Sequence, residues 1–235
     1  MKKKSNSRLF AATVLAALII PLAAVLLLGS LAVITETDVA YPEIISQALR
    51  YLKELVCVLS VFAASGCLVY SFVNGCGRSG CAVVCFVSIP LVYIVSALVD
   101  SAFYGDQALS AVYLIPMVIN SLFEALRYLI VILVARMIGK NAKGSGRSFG
   151  LELFSLEGAL SRGVFFGTLT VFATLIVTSL TDTLSLLAEF GAPVNLSELI
   201  YLILPYPTAI VYSVIGYFVM FAAVSFCMKN MKGKK

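Results

Sequence analysis

Six stretches of mostly apolar residues dominate the chain, at 9–34, 55–73, 81–99, 113–138, 163–187 and 208–228. About 20 such residues, wound as an α-helix, cross the hydrocarbon core of a bilayer. Lipid offers no water to an open N–H or C=O, so each stretch must satisfy its own backbone, and a helix does that. The composition agrees. Hydrophobic residues make up 61% and charged residues 12%, with a mean hydropathy of +1.03; an ordinary soluble domain carries about 25% charge. A soluble chain of 235 residues with so little polar surface has nothing to cover its core with. The sequence therefore predicts an all-α, polytopic integral membrane protein. Residues 1–235 form a single transmembrane domain of six helices, with short interfacial helices between them.

Charge sets the orientation. With the N-terminus inside, the segments 1–8, 136–162 and 229–235, together with Arg78, hold 14 of the 17 basic residues on the inner side. Arg50 and Lys53 fall outside, and Arg127 falls within a span. The acids run the other way, with 9 of 12 outside. An excess of Lys and Arg on cytoplasmic loops is the positive-inside signal, and one span more or fewer would scramble it. The expected topology is N-in/C-in. The start M-K-K-K-S-N-S-R also resembles a secretory signal peptide, with Ser30-Leu31-Ala32 as a small-x-small cleavage site. Signal cores run about 7–15 residues; this one is longer, so the first helix is expected to stay uncleaved.

Several chemistries are excluded. The chain has no histidine, so a Ser-His-Asp or Cys-His site and histidine-ligated metals are out. Three of the six cysteines, Cys76, Cys81 and Cys85, surround a Gly-rich turn. Their spacing lacks C-x-x-C and a fourth ligand. They read as small reduced residues packed in helices, and no metal or cofactor is assigned. There is no G-x-x-x-x-G-K-[ST] loop, so any use of ATP needs another protein. The lysine-rich ends suit an anionic inner membrane surface and call for no nucleic acid.

The fourth span contains N-S-L-F-E-A-L-R-Y. Asn120, Glu124 and Arg127 are spaced i, i+4, i+7 and share a helical face, with Tyr128 alongside. Counting back from Arg136 and Lys140 at about 1.5 Å per residue places Glu124 and Arg127 near the bilayer centre. A charge there costs about 2.5–3.5 kcal/mol. The pair can neutralise itself across one turn, and its face must point into the bundle or a watery cavity. Two readings follow: a site that handles a ligand, ion or proton, or an internal salt bridge that fixes helix packing. In the fifth span Thr170, Thr174 and Thr178 fall near one face. They line a polar path or simply bond neighbouring carbonyls.

Other segments are amphipathic. Residues 41–54 read as a helix starting at Pro42, with Ile45, Ala48, Leu49 and Leu52 on one face; it lies at the interface or extends the second span outward. Residues 195–207 hold a short apolar helix broken by Pro205 and Pro207, an outer re-entrant or interfacial element. Phe149, Leu153, Leu156 and Leu160 form one face of an inner-surface helix that either rests on headgroups or docks a cytosolic partner, such as an ATPase. A six-span layout with both ends inside is similar to the permease subunits of ATP-driven exporters and to the small substrate-binding membrane subunits of vitamin importers. No residue motif of either maps onto the chain. The expected function is a transport protein or the membrane subunit of a transporter, in a bacterial plasma membrane. The alternative is an assembly or regulatory membrane protein. A lipid-acting enzyme is least favoured, for lack of a nucleophile–base pair.

Overall fold

A computed structural model describes residues 2–38, 42–104 and 206–231, with helical positions scattered between 115 and 136. Every described element is helical. The first helix runs through α1 (Lys2–Val14), a π-helical turn (Leu15–Ile19), α2 (Ile20–Ala24), a second π-turn (Val25–Gly29) and α3 (Ser30–Asp38). Then come α4 (Pro42–Asn74) and α5 (Arg78–Tyr104), and later α6 (Tyr206–Met231). Among the described residues, three helices are long and apolar enough to cross a membrane: Asn6–Thr35, Ile44–Asn74 and Arg78–Ala102. A shorter apolar helix covers Val214–Asn230. The protein is an all-α, multi-pass membrane protein. The fifth expected span, 163–187, lies outside the described residues.

The chain divides into two compact units, Met1–Phe149 with Val219–Lys235, and Gly150–Phe218. The contacts below belong to the first.

Pro21 explains the irregular first helix. It has no N–H to give the carbonyl four residues back, and its ring crowds that carbonyl. The turn before it widens, so that the Ile20 N–H donates to Leu15 O, five residues back. Helix α4 is longer than a bilayer requires. At about 1.5 Å per residue its 33 residues reach about 50 Å, against a hydrocarbon core of about 30 Å. The amphipathic segment 42–54 is thus the continuous outward extension of the second span. Its apolar residues Ile45, Ala48 and Leu52 are exposed, while Ser46 is the buried one. Apolar side chains turn outward here because the surroundings are lipid or headgroups.

The α4–α5 turn is tight and capped. Gly75 and Gly77 take positive φ of 74° and 60°, the left-handed region that costs glycine nothing. The Gly75 and Cys76 amides donate to Ser71 O at 2.9 and 3.1 Å, closing the helix end. Arg78 Nη2 donates to Phe72 O at 3.2 Å, and its guanidinium lies 6.0 Å from the Phe72 ring centre. A cation at this C-terminus also opposes the helix dipole.

Small residues make the interior. Ala16, Ala17, Ala24 and Ala32 of the first helix are buried, as are Ala64, Ser65, Gly66 and Cys67 of α4. Such residues let membrane helices approach closely where packing, not water, drives association. Among the described glycines, the closest approach is at Gly66. A Cβ there would come within 2.5 Å of Met220 O and 2.8 Å of the Ala223 Cβ. Outward faces are strongly apolar: Leu27 is 65% and Ile44 76% exposed. In water such a surface would drive aggregation; in a bilayer it is the lipid contact.

Two ends of the unit can be told apart. Gly77 and Gly80 sit against Leu9 and Phe10, and Thr13 against Cys81. The start of the first helix and the α4–α5 turn therefore share one end. At the other end Gly29 lies near Lys53 and Val99.

Candidate functional site

Of the residues expected to form the intramembrane site, Tyr128 is described. Asn120, Glu124 and Arg127 lie outside the described residues, as do Thr170, Thr174 and Thr178 and the amphipathic positions Phe149, Leu153, Leu156 and Leu160. Tyr128 is 1% exposed. Its ring meets Phe86 of α5 edge-on, with centroids 6.2 Å apart and planes at 71°, a favourable aromatic geometry. Ile132 and Ala135, four and seven residues on, are buried with it. Ile115, Val118, Leu122, Leu126, Leu129 and Leu133 recur every three or four residues and are all exposed. This is the pattern of a membrane helix with one packed face and one lipid face.

Four buried serines of the described helices answer their own backbone. Ser60 donates to Val56 O at 2.7 Å, Ser65 to Val61 O at 2.8 Å, Ser71 to Leu68 O at 3.0 Å and Ser88 to Cys85 O at 2.8 Å. Local bonds of this kind satisfy a hydroxyl in lipid without a partner helix. They hold no ligand-facing proton in reserve.

A second polar cluster was not foreseen from the sequence. Thr13 Oγ1 lies 2.9 Å from Leu9 O and 3.3 Å from Cys81 Sγ. With its one proton on the carbonyl, its lone pairs face the thiol. Cys67 lies near Thr13 and Cys227. Cys85 is buried one turn beyond Cys81. The cysteines are free thiols. Cys76 stands apart at the turn, half-buried, with Sγ 3.7 Å from Asn74 O. The grouping of Cys76 with Cys81 and Cys85 along the chain is therefore replaced in space by Cys81 and Cys85 with Cys67 and Cys227. Depth was the available signal. Thr13, Cys67, Cys81 and Cys227 all stand within two helical turns of Arg8, Asn74, Arg78 or Lys229. Among the described residues, no three His, Cys, Asp or Glu side chains are placed to hold a metal ion.

These features define the class: a multi-pass helical membrane protein with a closely packed interior of small residues. No protein-family model matches the chain, and no curated protein or solved structure shows significant similarity to it.

Proposed function

We propose that the protein is a membrane transport protein, or the membrane-embedded subunit of a transporter, with a polar site at Asn120, Glu124, Arg127 and Tyr128. The burial of Tyr128 carries this reading. In an ideal helical repeat of about 100° per residue, a position four residues before Tyr128 would fall about 40° from it, and this is the expectation the proposal extends to Glu124. An ionisable group on the packed side of a membrane helix marks a pathway or binding site by default. Thr170, Thr174 and Thr178 extend that polar path, and the segment 199–207 serves as an outer gate. The inner helix bearing Phe149, Leu153, Leu156 and Leu160 docks the energy-coupling partner, an ATPase. No residue is given a catalytic role. Six spans with both ends inside, in a bacterial cytoplasmic membrane, complete the proposal.

The competing reading is an assembly or regulatory protein in which Glu124 and Arg127 form a packing salt bridge. Glu124→Gln separates the two. A hydrogen bond to a charged group is worth about 1.5–3 kcal/mol, so solute affinity should fall roughly tenfold to a hundredfold, with folded yield close to wild type. A variant that merely loses yield supports the salt bridge. Purification from native membranes in mild detergent tests the partner: the docking reading expects a stoichiometric ATPase, lost when Leu153 and Leu156 become serine.

A further inference from the structure

We propose that Lys53, at the seam of the first helix, α4 and α5, holds the phosphate of a phospholipid in the leaflet opposite the α4–α5 turn. This stands apart from the transport reading. Depth, packing and charge converge on the residue. Gly29 lies twenty residues after Leu9, which packs against Gly77 at the turn. At about 1.5 Å per residue that is about 30 Å of helix, the thickness of the hydrocarbon core. Lys53 Cδ and Val99 Cγ1 stand 3.7 and 3.8 Å from the point that a Cβ on Gly29 would occupy. The lysine stem therefore lies over buried Gly29 at the far edge of the hydrocarbon, where phospholipid phosphates begin. Its ammonium is two bonds further along.

The charge is not answered within the bundle. Lys53 is half-buried, and among the described residues no acid forms an ion pair with it, although half-buried Asp100 follows Val99 on α5. A charged group within a membrane helix ordinarily finds a counter-charge or marks a binding site. Arg50, exposed one turn further out on α4, adds positive charge above the seam. Arg50 and Lys53 are also the two basic residues that the expected topology leaves outside, against the trend of the chain. A phosphate ligand gives that exception a use, since lysine binds phosphate as a compact point charge. On the hydrocarbon side of the seam, Leu26 of the first helix and Leu98 of α5 are 51% and 50% exposed. They offer acyl chains an apolar surface directly below the phosphate, which a free anion would not use.

The test titrates the full chain, in a mild non-ionic detergent, with dioleoyl phosphatidylglycerol and counts bound lipid by native mass spectrometry. The expected result is a first lipid whose affinity falls roughly tenfold in Lys53→Met, which keeps an apolar stem and loses the charge. Lys53→Arg and Arg78→Gln should hold that lipid as wild type does. A second measurement uses wild type alone: acetylation of Lys53 by acetic anhydride, mapped by peptide mass spectrometry, should drop several-fold with phosphatidylglycerol and not with phosphate-free dioleoylglycerol. Equal acetylation of Lys53 with and without phosphatidylglycerol overturns the proposal, as does wild-type affinity in Lys53→Met. Protection of Lys53 by inorganic phosphate alone, as complete as by the lipid, also overturns it and makes the seam a site for a free anion.

Discussion

Gly66→Leu is expected to abolish the folded protein, and Gly66→Ala to weaken it measurably. Not every helical glycine here resists a methyl. At Gly29 the nearest atom would be 3.7 Å away, an ordinary contact, and at Gly80 it would meet the Phe10 ring at 3.3 Å, which a side-chain rotation relieves. At Gly66 the obstacle is the backbone carbonyl of Met220, at 2.5 Å. A carbonyl inside a helix does not rotate away. The α4–α6 crossing would have to open, and every contact near it would loosen. Overpacking of this kind costs about 1–3 kcal/mol for one methyl, and a leucine side chain has no place to go. The chain has no tryptophan, so melting is best followed by the soluble fraction on size exclusion after heating. Gly29→Ala should melt like wild type, Gly80→Ala slightly lower, and Gly66→Ala clearly lowest of the three.

The second large effect concerns sidedness. A C-terminal alkaline phosphatase fusion should be inactive, and a C-terminal fluorescent protein that matures only in the cytoplasm should be bright. One observation motivates this expectation. Basic residues collect in segments 1–8, 136–162 and 229–235, as inner loops do, and six expected spans would return the chain to the side on which it began. An active phosphatase would mean that an odd number of helices crosses the bilayer.

Much of the fold was legible because the physics of a bilayer is blunt. Expected spans at 9–34, 81–99 and 208–228 fall inside helices Asn6–Thr35, Arg78–Ala102 and Tyr206–Met231, because length and hydropathy alone decide them. The second span, expected at 55–73 with segment 41–54 either extending it or lying at the interface, is one continuous helix, Pro42–Asn74. Arg50, Lys53 and Glu54 interrupt its hydropathy, yet they do not interrupt its helix: charged side chains at a membrane edge reach water while the backbone continues. The π-turns around Pro21 were not legible, since a proline announces a perturbation without saying how the helix absorbs it. Convergence of Cys67 and Cys227 was hidden for a different reason. They are far apart in sequence, and only the pairing of helices brings them together. Tyr128 was singled out for its place beside a charged face. It packs edge-on against Phe86, while Asn120, Glu124 and Arg127 lie outside the described residues.

A transport site on the fourth helix is tested most directly by melting purified wild type and Glu124→Gln side by side against a panel of amino acids, sugars, vitamins and inorganic ions. The expected result is a solute that raises the melting temperature of wild type by several degrees and leaves Glu124→Gln unmoved, since a ligand stabilises only the protein that binds it. The contradicting result is a protein that no solute stabilises, in which Glu124→Gln melts far below wild type and a co-purifying partner stabilises both. That outcome would make the charged pair a packing element and the protein an assembly factor.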